Sequence, residues 1–260
     1  MPSAADVPGP RRLLHVRATW SAREDRIPSV VWLGVLWVGI VAGFGLDFPR
    51  YLHEKPAVPM VVHVHAVVFS VWMFLLTAQV LLVVKNRVDV HRKLGWVLVG
   101  WVGLMAVMGP WAALASQANA LHTPNYDPQF LALNIEDIAG FVGLFAWAIG
   151  LRKNPAAHKR MVMLSMASIA DPGFNRLLGY FYPNEPQSVL PWFFYVFYGN
   201  VLLMALMAGW DWYKGRLMRQ FVVGAVLLLA AELACSAVYF WKPWASVAAS
   251  WIEAYARHVA

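Results

Sequence analysis

Seven apolar stretches, each near the ~20 residues that carry a helix across a bilayer core, divide this chain of 260 residues. They fall at about 29–48, 59–84, 94–116, 129–151, 161–181, 190–210 and 220–241, separated by short connectors rich in Pro, Gly, Asn or clustered charge. Lipid offers no partner to a backbone N–H or C=O, so a span must satisfy its own backbone. Continuous stretches of this length therefore predict helices, and the chain is expected to be an all-α integral membrane protein with seven transmembrane helices. The organisation that follows is a polar tail over 1–28, a helical domain over 29–241 and a short interfacial tail over 242–260. Residues 1–28 contain Pro and Arg without a short apolar core and small-residue cleavage site, so they are read as a solvated tail rather than a signal peptide.

Composition agrees with this reading. Hydrophobic residues make up 60% of the chain and charged residues 13%, whereas a soluble domain runs near 45–50% and about 25%. The net charge of +7 would suit a polyanionic partner if the cations formed one patch, but they sort by membrane side. Sixteen of the 21 basic residues flank the ends that share a side with the N-terminal tail, and five flank the opposite ends. Basic residues concentrate on the cytoplasmic side, which predicts a cytoplasmic N-terminus, a periplasmic C-terminus and no nucleic-acid partner. The single cysteine, Cys235, excludes an intrachain disulfide framework and any multi-cysteine zinc or iron–sulfur site.

The few ionisable residues inside the spans carry the functional information. At ~1.5 Å of rise per residue, His63, His65, Glu136, Asp137, Arg176 and Glu232 lie in the outer half of the bilayer, with Asp171 near its midplane and Asn200 at similar depth. Charges in a bilayer core are costly and normally face a bundle interior. Four acids against one arginine leave an excess that requires protons, hydrogen bonds, water or a cation. One reading is structural, with Asp171 paired to Arg176 and His63 at the headgroup level. The other is a site in which His63, His65, Glu136 and Glu232 ligate a transition metal (Zn, Fe or Mn) while Asp171, Asp137 and Arg176 act on substrate. His63 and His65 point about 200° apart on a straight helix, so both reach one ion only if the helix begins irregularly. The run Asp171-Pro172-Gly173 predicts a break or kink in the fifth helix beside its acid.

A second constellation lies on the cytoplasmic side. The turn at 83–94 repeats at an offset of 67 in the turn at 150–161, so that His91-Arg92-Lys93-Leu94 matches His158-Lys159-Arg160-Met161. His91 and His158 are either polar anchors of two positive-inside turns or axial ligands of a haem b whose propionates lie near Arg92, Lys93, Lys159 or Arg160. Trp72, Trp101, Trp111, Trp147 and Trp192 sit where any polytopic protein packs or anchors. No phosphate-binding glycine loop, nucleophile elbow or His-Glu-x-x-His is present.

The elements His63-x-His65-Ala66, Ser70-x-Trp72, Gln79, His91-Arg92-x-Leu94-Gly95 and His158-Lys159-Arg160 resemble an uncharacterised family of bacterial multipass inner-membrane proteins over about 61–180. The resemblance implies an inner-membrane location and no defined activity. A more distant likeness is to transmembrane dihaem cytochromes b. This chain departs from it in the outer half, where span 2 alone supplies helical histidines, so a single inner haem on His91 and His158 is what that likeness leaves. Three functions follow as expectations. The first is a metal-dependent membrane enzyme, redox chemistry included, acting on a lipophilic small molecule such as a quinone. The others are a haem b electron-transfer protein, and an ion-coupled transporter or accessory subunit of a membrane complex.

Overall fold

The computed structural model describes residues 23–259, so the tail cations Arg11, Arg12 and Arg17 lie outside the described residues. All regular structure among those residues is helical: α1 Arg26–Leu52, α2 Met60–Val84, α3 Val88–Asn119, α4 Leu131–Gly150, α5 Pro155–Ala167, α6 Asp171–Phe181, α7 Val189–Tyr213, α8 Arg219–Tyr239 and α9 Lys242–Val259. A 3₁₀ turn, Pro128–Phe130, leads into α4. Six of these segments (α1, α2, α3, α4 with its leading turn, α7 and α8) are long and apolar enough to cross a membrane. Their outward faces carry exposed Val38, Val67, Phe74, Val107 and Val226, side chains suited to lipid contact.

The fifth predicted helix is two helices. Pro172 has no N–H to give, and its ring collides with the carbonyl four residues back, that of Ser168. Regular helix therefore ends at Ala167 and restarts at Asp171, with the proline in the first turn where it is tolerated. At its other end α5 is fixed by Pro155 in its first turn and by Asn154, whose Oδ1 accepts from the Ala157 N–H at 3.3 Å.

Contacts along α1 show how the two halves run. Lys159 and Arg160 of α5 reach Asp25, the residue before α1. Gly173 and Phe174 of α6 lie against Gly39 and Gly43 midway along α1, and Arg176 reaches Asp47 near its end. Glycine makes this approach close. A Cβ on Gly43 would fall on the Gly173 carbonyl oxygen, and one on Gly173 would stand 2.7 Å from the Ile40 Cα. The Phe174 ring is held between Gly39 of α1 and Gly199 of α7. Gly39-x-x-x-Gly43 is thus a small-residue stripe that brings two helix backbones together.

The main core lies between the helices around Trp72, Phe141, Phe145, Met161, Leu164 and Leu203, all buried. Trp72 meets Phe141 and Phe145 edge-on at 5.3 and 5.6 Å, and its Nε1–H points at the Met166 sulfur, 3.2 Å away. The final segment is an amphipathic helix. Ala248 and Ile252 of α9 are buried against Leu131, beside Ala113 and Leu114 of α3, while Trp251 stays exposed.

Candidate functional site

The break between α5 and α6 places Asp171 at the start of a half-helix inside the bundle. Asp137 of α4 is its near neighbour in the same buried part of the bundle. Glu232 of α8 and Asn200 of α7 complete this centre, joined by a 2.9 Å bond from Asn200 Nδ2 to Glu232 Oε1. Asp171, Asn200 and Glu232 are at most 1% exposed and Asp137 6%. Glu136, one residue before Asp137, adds a fourth carboxyl on the flank toward Gly140.

The carboxyl oxygens are short of donors. Both oxygens of Glu136, both of Asp171, Oδ1 of Asp137 and Oε2 of Glu232 are buried without a hydrogen-bonded donor, as is Oδ1 of Asn200. Buried side-chain polar atoms are paired in the large majority of cases. Two facing carboxylates also repel one another unless a proton or cation stands between them. The arrangement is chemically suited to holding protons or a small cation.

Of the residues expected to form an outer site, the structure gathers Glu136, Asp137, Asp171 and Glu232 and leaves three others outside. His63 is exposed and bonds through Nδ1 to the Tyr51 hydroxyl at 2.6 Å. His65 stacks on Phe69 with ring centres 4.1 Å apart. The roughly 200° between residues two apart on a straight helix separates the two rings, because α2 begins regularly after Pro59. Arg176 does not pair with Asp171. Its Nε bonds Asp47 at 3.1 Å and its Nη1 the Pro172 carbonyl at 2.8 Å, with the Phe44 ring 4.6 Å beneath the guanidinium. Among the described residues, no group of three or more His, Cys, Asp or Glu is placed to hold a metal ion.

A second polar centre, unforeseen from the sequence, closes the opposite end of the bundle. Asp25 receives Lys159 Nζ at 2.7 Å, Trp210 Nε1 at 3.0 Å and Arg160 at 3.4 Å, together with a short bond from Arg216. Asp211 accepts two bonds from Arg160, and Arg216 also bonds Glu24 at 3.1 Å. Asp25, Asp211, Arg160 and Arg216 are all buried. The sequence signal was an aspartate at each of two span ends amid cations, and a count of basic residues alone passes over it. Arg160 is therefore committed to carboxylates and Lys159 is tied to Asp25 by one of its three hydrogens, which leaves Arg92 and Lys93 as the exposed cations near the inner histidines.

Burial raises the proton affinity of Asp25, but Lys159 and Arg160 outweigh it and bring the carboxyl down to about 2. A carboxyl depressed in the folded state stabilises that state above its unfolded pKa of about 3.9 and loses the contribution as pH falls through the folded value. The expected result is a stability term of about 2 kcal/mol, complete above roughly pH 5 and lost between roughly pH 4 and 2. Acid titration of thermal unfolding in detergent checks this. The Asp25→Asn variant should show a shallower slope in that window, and an unchanged slope would refute the assignment.

The offset repeat has a structural counterpart. His91 and His158 are each the fourth residue of a helix, α3 and α5, and their rings lie 6.3 Å apart between centres at an interplanar angle of 87°. His158 Nδ1 bonds the Ala148 carbonyl at 2.8 Å, and His91 Nδ1 is buried with no partner. Gln79 Nε2 ties the site to α2 through the His91 carbonyl at 3.3 Å.

Compared with protein-family models, with curated proteins and with solved structures, the chain gives no match.

Proposed function

We propose that the chain is an ion-coupled membrane protein whose working site is the carboxyl centre of Glu136, Asp137, Asp171 and Glu232, with the proton as the coupling ion. In this reading it spans the membrane seven times, α5 and α6 together making the fifth crossing. Its N-terminus is cytoplasmic and its C-terminus periplasmic, and the bilayer is a bacterial inner membrane. The observation that carries the reading is the set of buried carboxyl oxygens without donors. Intramembrane acids of this kind serve proton relays, and an interrupted helix beside them is how coupling-ion sites are built in transporters. A proton needs only one or two of these carboxyls, whereas among the described residues no three His, Cys, Asp or Glu are disposed to hold one metal ion.

A lipid-soluble carbodiimide reacts with a protonated carboxyl in apolar surroundings, and peptide mass spectrometry locates the adduct. Modification of Asp171 or Glu232 is expected at low pH, falling as pH rises. In proteoliposomes under an imposed pH gradient, proton flux should drop about tenfold or more in Asp171→Asn and Glu232→Gln. No adduct at any pH, together with flux equal to that of empty liposomes, would refute the proposal.

One observation favours a second reading, ligation of a haem b by His91 and His158. Two imidazoles on one metal, each bonded at about 2.0–2.1 Å, have ring centres roughly 6 Å apart, near the spacing found. The bond from His158 Nδ1 to a carbonyl is the kind of support a metal-ligating histidine has. Purified protein with a Soret band that disappears in His91→Ala would bear this out. A colourless preparation from haem-replete cells would end it.

A further inference from the structure

We infer that the inner end of the bundle holds a binding site for one anionic phospholipid, entered from the bilayer between α1 and α7. A cavity of about 370 Å³ lies there, walled by α1, α5 and α7, within the range of small-molecule sites. Its two ends differ in chemistry. The outer part is apolar, formed by Ile27, Val31, Trp32, Met163, Leu206 and Met207, and the inner part holds Ser29, Lys159, Arg160, Trp210 and Asp211. Ile27, Val31 and Leu206 are exposed on the lipid-facing surface of their helices, so the apolar part opens where acyl chains lie. A ligand with a hydrocarbon tail and a polar head matches this gradient, and a wholly water-soluble one does not.

Charge selects the head. Lys159 is the most exposed cation of the network, its side chain 26% accessible against 2% for Arg160 and 5% for Arg216. Its ammonium gives one hydrogen to Asp25 Oδ2 at 2.7 Å and one to Ser29 Oγ at 3.3 Å, and an ammonium carries three. Arg160 gives four of its five N–H groups to Asp211, Asp25 and the Ala156 carbonyl and is itself buried, so Lys159 is the more accessible donor lining the cavity. Glu24 on the rim is drawn to Arg216 at 3.1 Å, and Arg26, whose side chain bonds the neutral Asn86, follows in the chain just before Ile27. A phosphate at the Lys159 end would therefore meet the remaining hydrogen of Lys159, the nearby charge of Arg26 and acids that are each already paired with a cation. This site is independent of the carboxyl centre, which lies further along α5 and α6.

The test uses the full-length protein in detergent, incubated with phosphatidylglycerol or phosphatidylcholine of the same acyl chains and analysed by native mass spectrometry. One phosphatidylglycerol per chain is expected to persist, with about tenfold preference over phosphatidylcholine. Lys159→Gln should abolish the preference between headgroups. Leu206→Trp, which fills the apolar mouth from an exposed rim and leaves the core intact, should reduce retention of both lipids. Equal retention of the two lipids by the unaltered protein would overturn the inference, and so would phosphatidylglycerol binding unchanged in Leu206→Trp. Stabilisation by inorganic phosphate alone, without lipid retention, would place the anion's source in water and would also overturn it.

Discussion

Arg160→Ala is expected to destabilise the folded protein by about 3–5 kcal/mol, the cost of leaving a buried charge without its partner. The carboxylate left behind is Asp211, 2% exposed, whose remaining cation Arg216 stands 4.0 Å away. Asp211→Ala should cost a similar amount, since Arg160 would then keep Asp25 as its one acidic neighbour at 3.4 Å. The double change Arg160→Met with Asp211→Leu separates burial of charge from loss of packing. Apolar groups of similar volume often replace a buried ion pair at little cost, so the double variant should recover most of the stability lost by either single one. Equilibrium unfolding in mixed detergent micelles measures all three. Single variants within about 1 kcal/mol of the parent would show that the pair is not a structural tie, as would a double variant no better than the singles.

Gly43→Ala should be nearly as damaging for a different reason. Its added methyl falls on the Gly173 carbonyl oxygen, a backbone atom that cannot rotate aside. Overpacking costs typically about 1–3 kcal/mol where side chains can adjust, and the upper end or beyond is expected here because α6 must move away from α1. Gly39→Ala offers a built-in comparison. There the methyl meets the ring of Phe174, a side chain that can be made smaller. Phe174→Leu should restore stability to Gly39→Ala and leave Gly43→Ala unrepaired. If the two alanine variants respond alike to Phe174→Leu, the contact between α1 and α6 is not backbone against backbone.

Much of the architecture was legible because it depends on length and polarity alone. Stretches of some twenty apolar residues leave a helix little alternative, and six of the seven appear with ends within six residues of those expected. The fifth carried its own warning in Asp171-Pro172-Gly173, and the proline acts where it stands. The extent of α5 was not legible, because the helix begins at Pro155 among charges and a hydropathy reading starts at Met161. The site divided in the same way. Depth along a helix is a matter of counting, which put Glu136, Asp137 and Glu232 in the outer half of the bilayer and Asp171 near its midplane. Azimuth is set by how each helix is rotated against its neighbours, which a single sequence does not state. His63 and His65 therefore share the outer half without sharing the site, and Arg176 chose Asp47, an acid on a helix whose proximity only the glycine contacts disclose. The inner network escaped for the same reason, its members standing at the ends of three different helices and in a connector.

The joint at Ser168–Ala170 divides more than one helix. On one side of it α5 packs chiefly with α4 and α8, and on the other α6 packs chiefly with α1 and α7, with α7 also touching α5. Asp137 stands on α4 and Asp171 at the start of α6, so their carboxyls come from different sides of the joint. Under the proposed proton coupling, a proton held between them would draw the two sides together, and its departure would set two like charges pushing outward. In that reading the proline break lets a titration act as a force, at the place along α5 and α6 where the helix is interrupted.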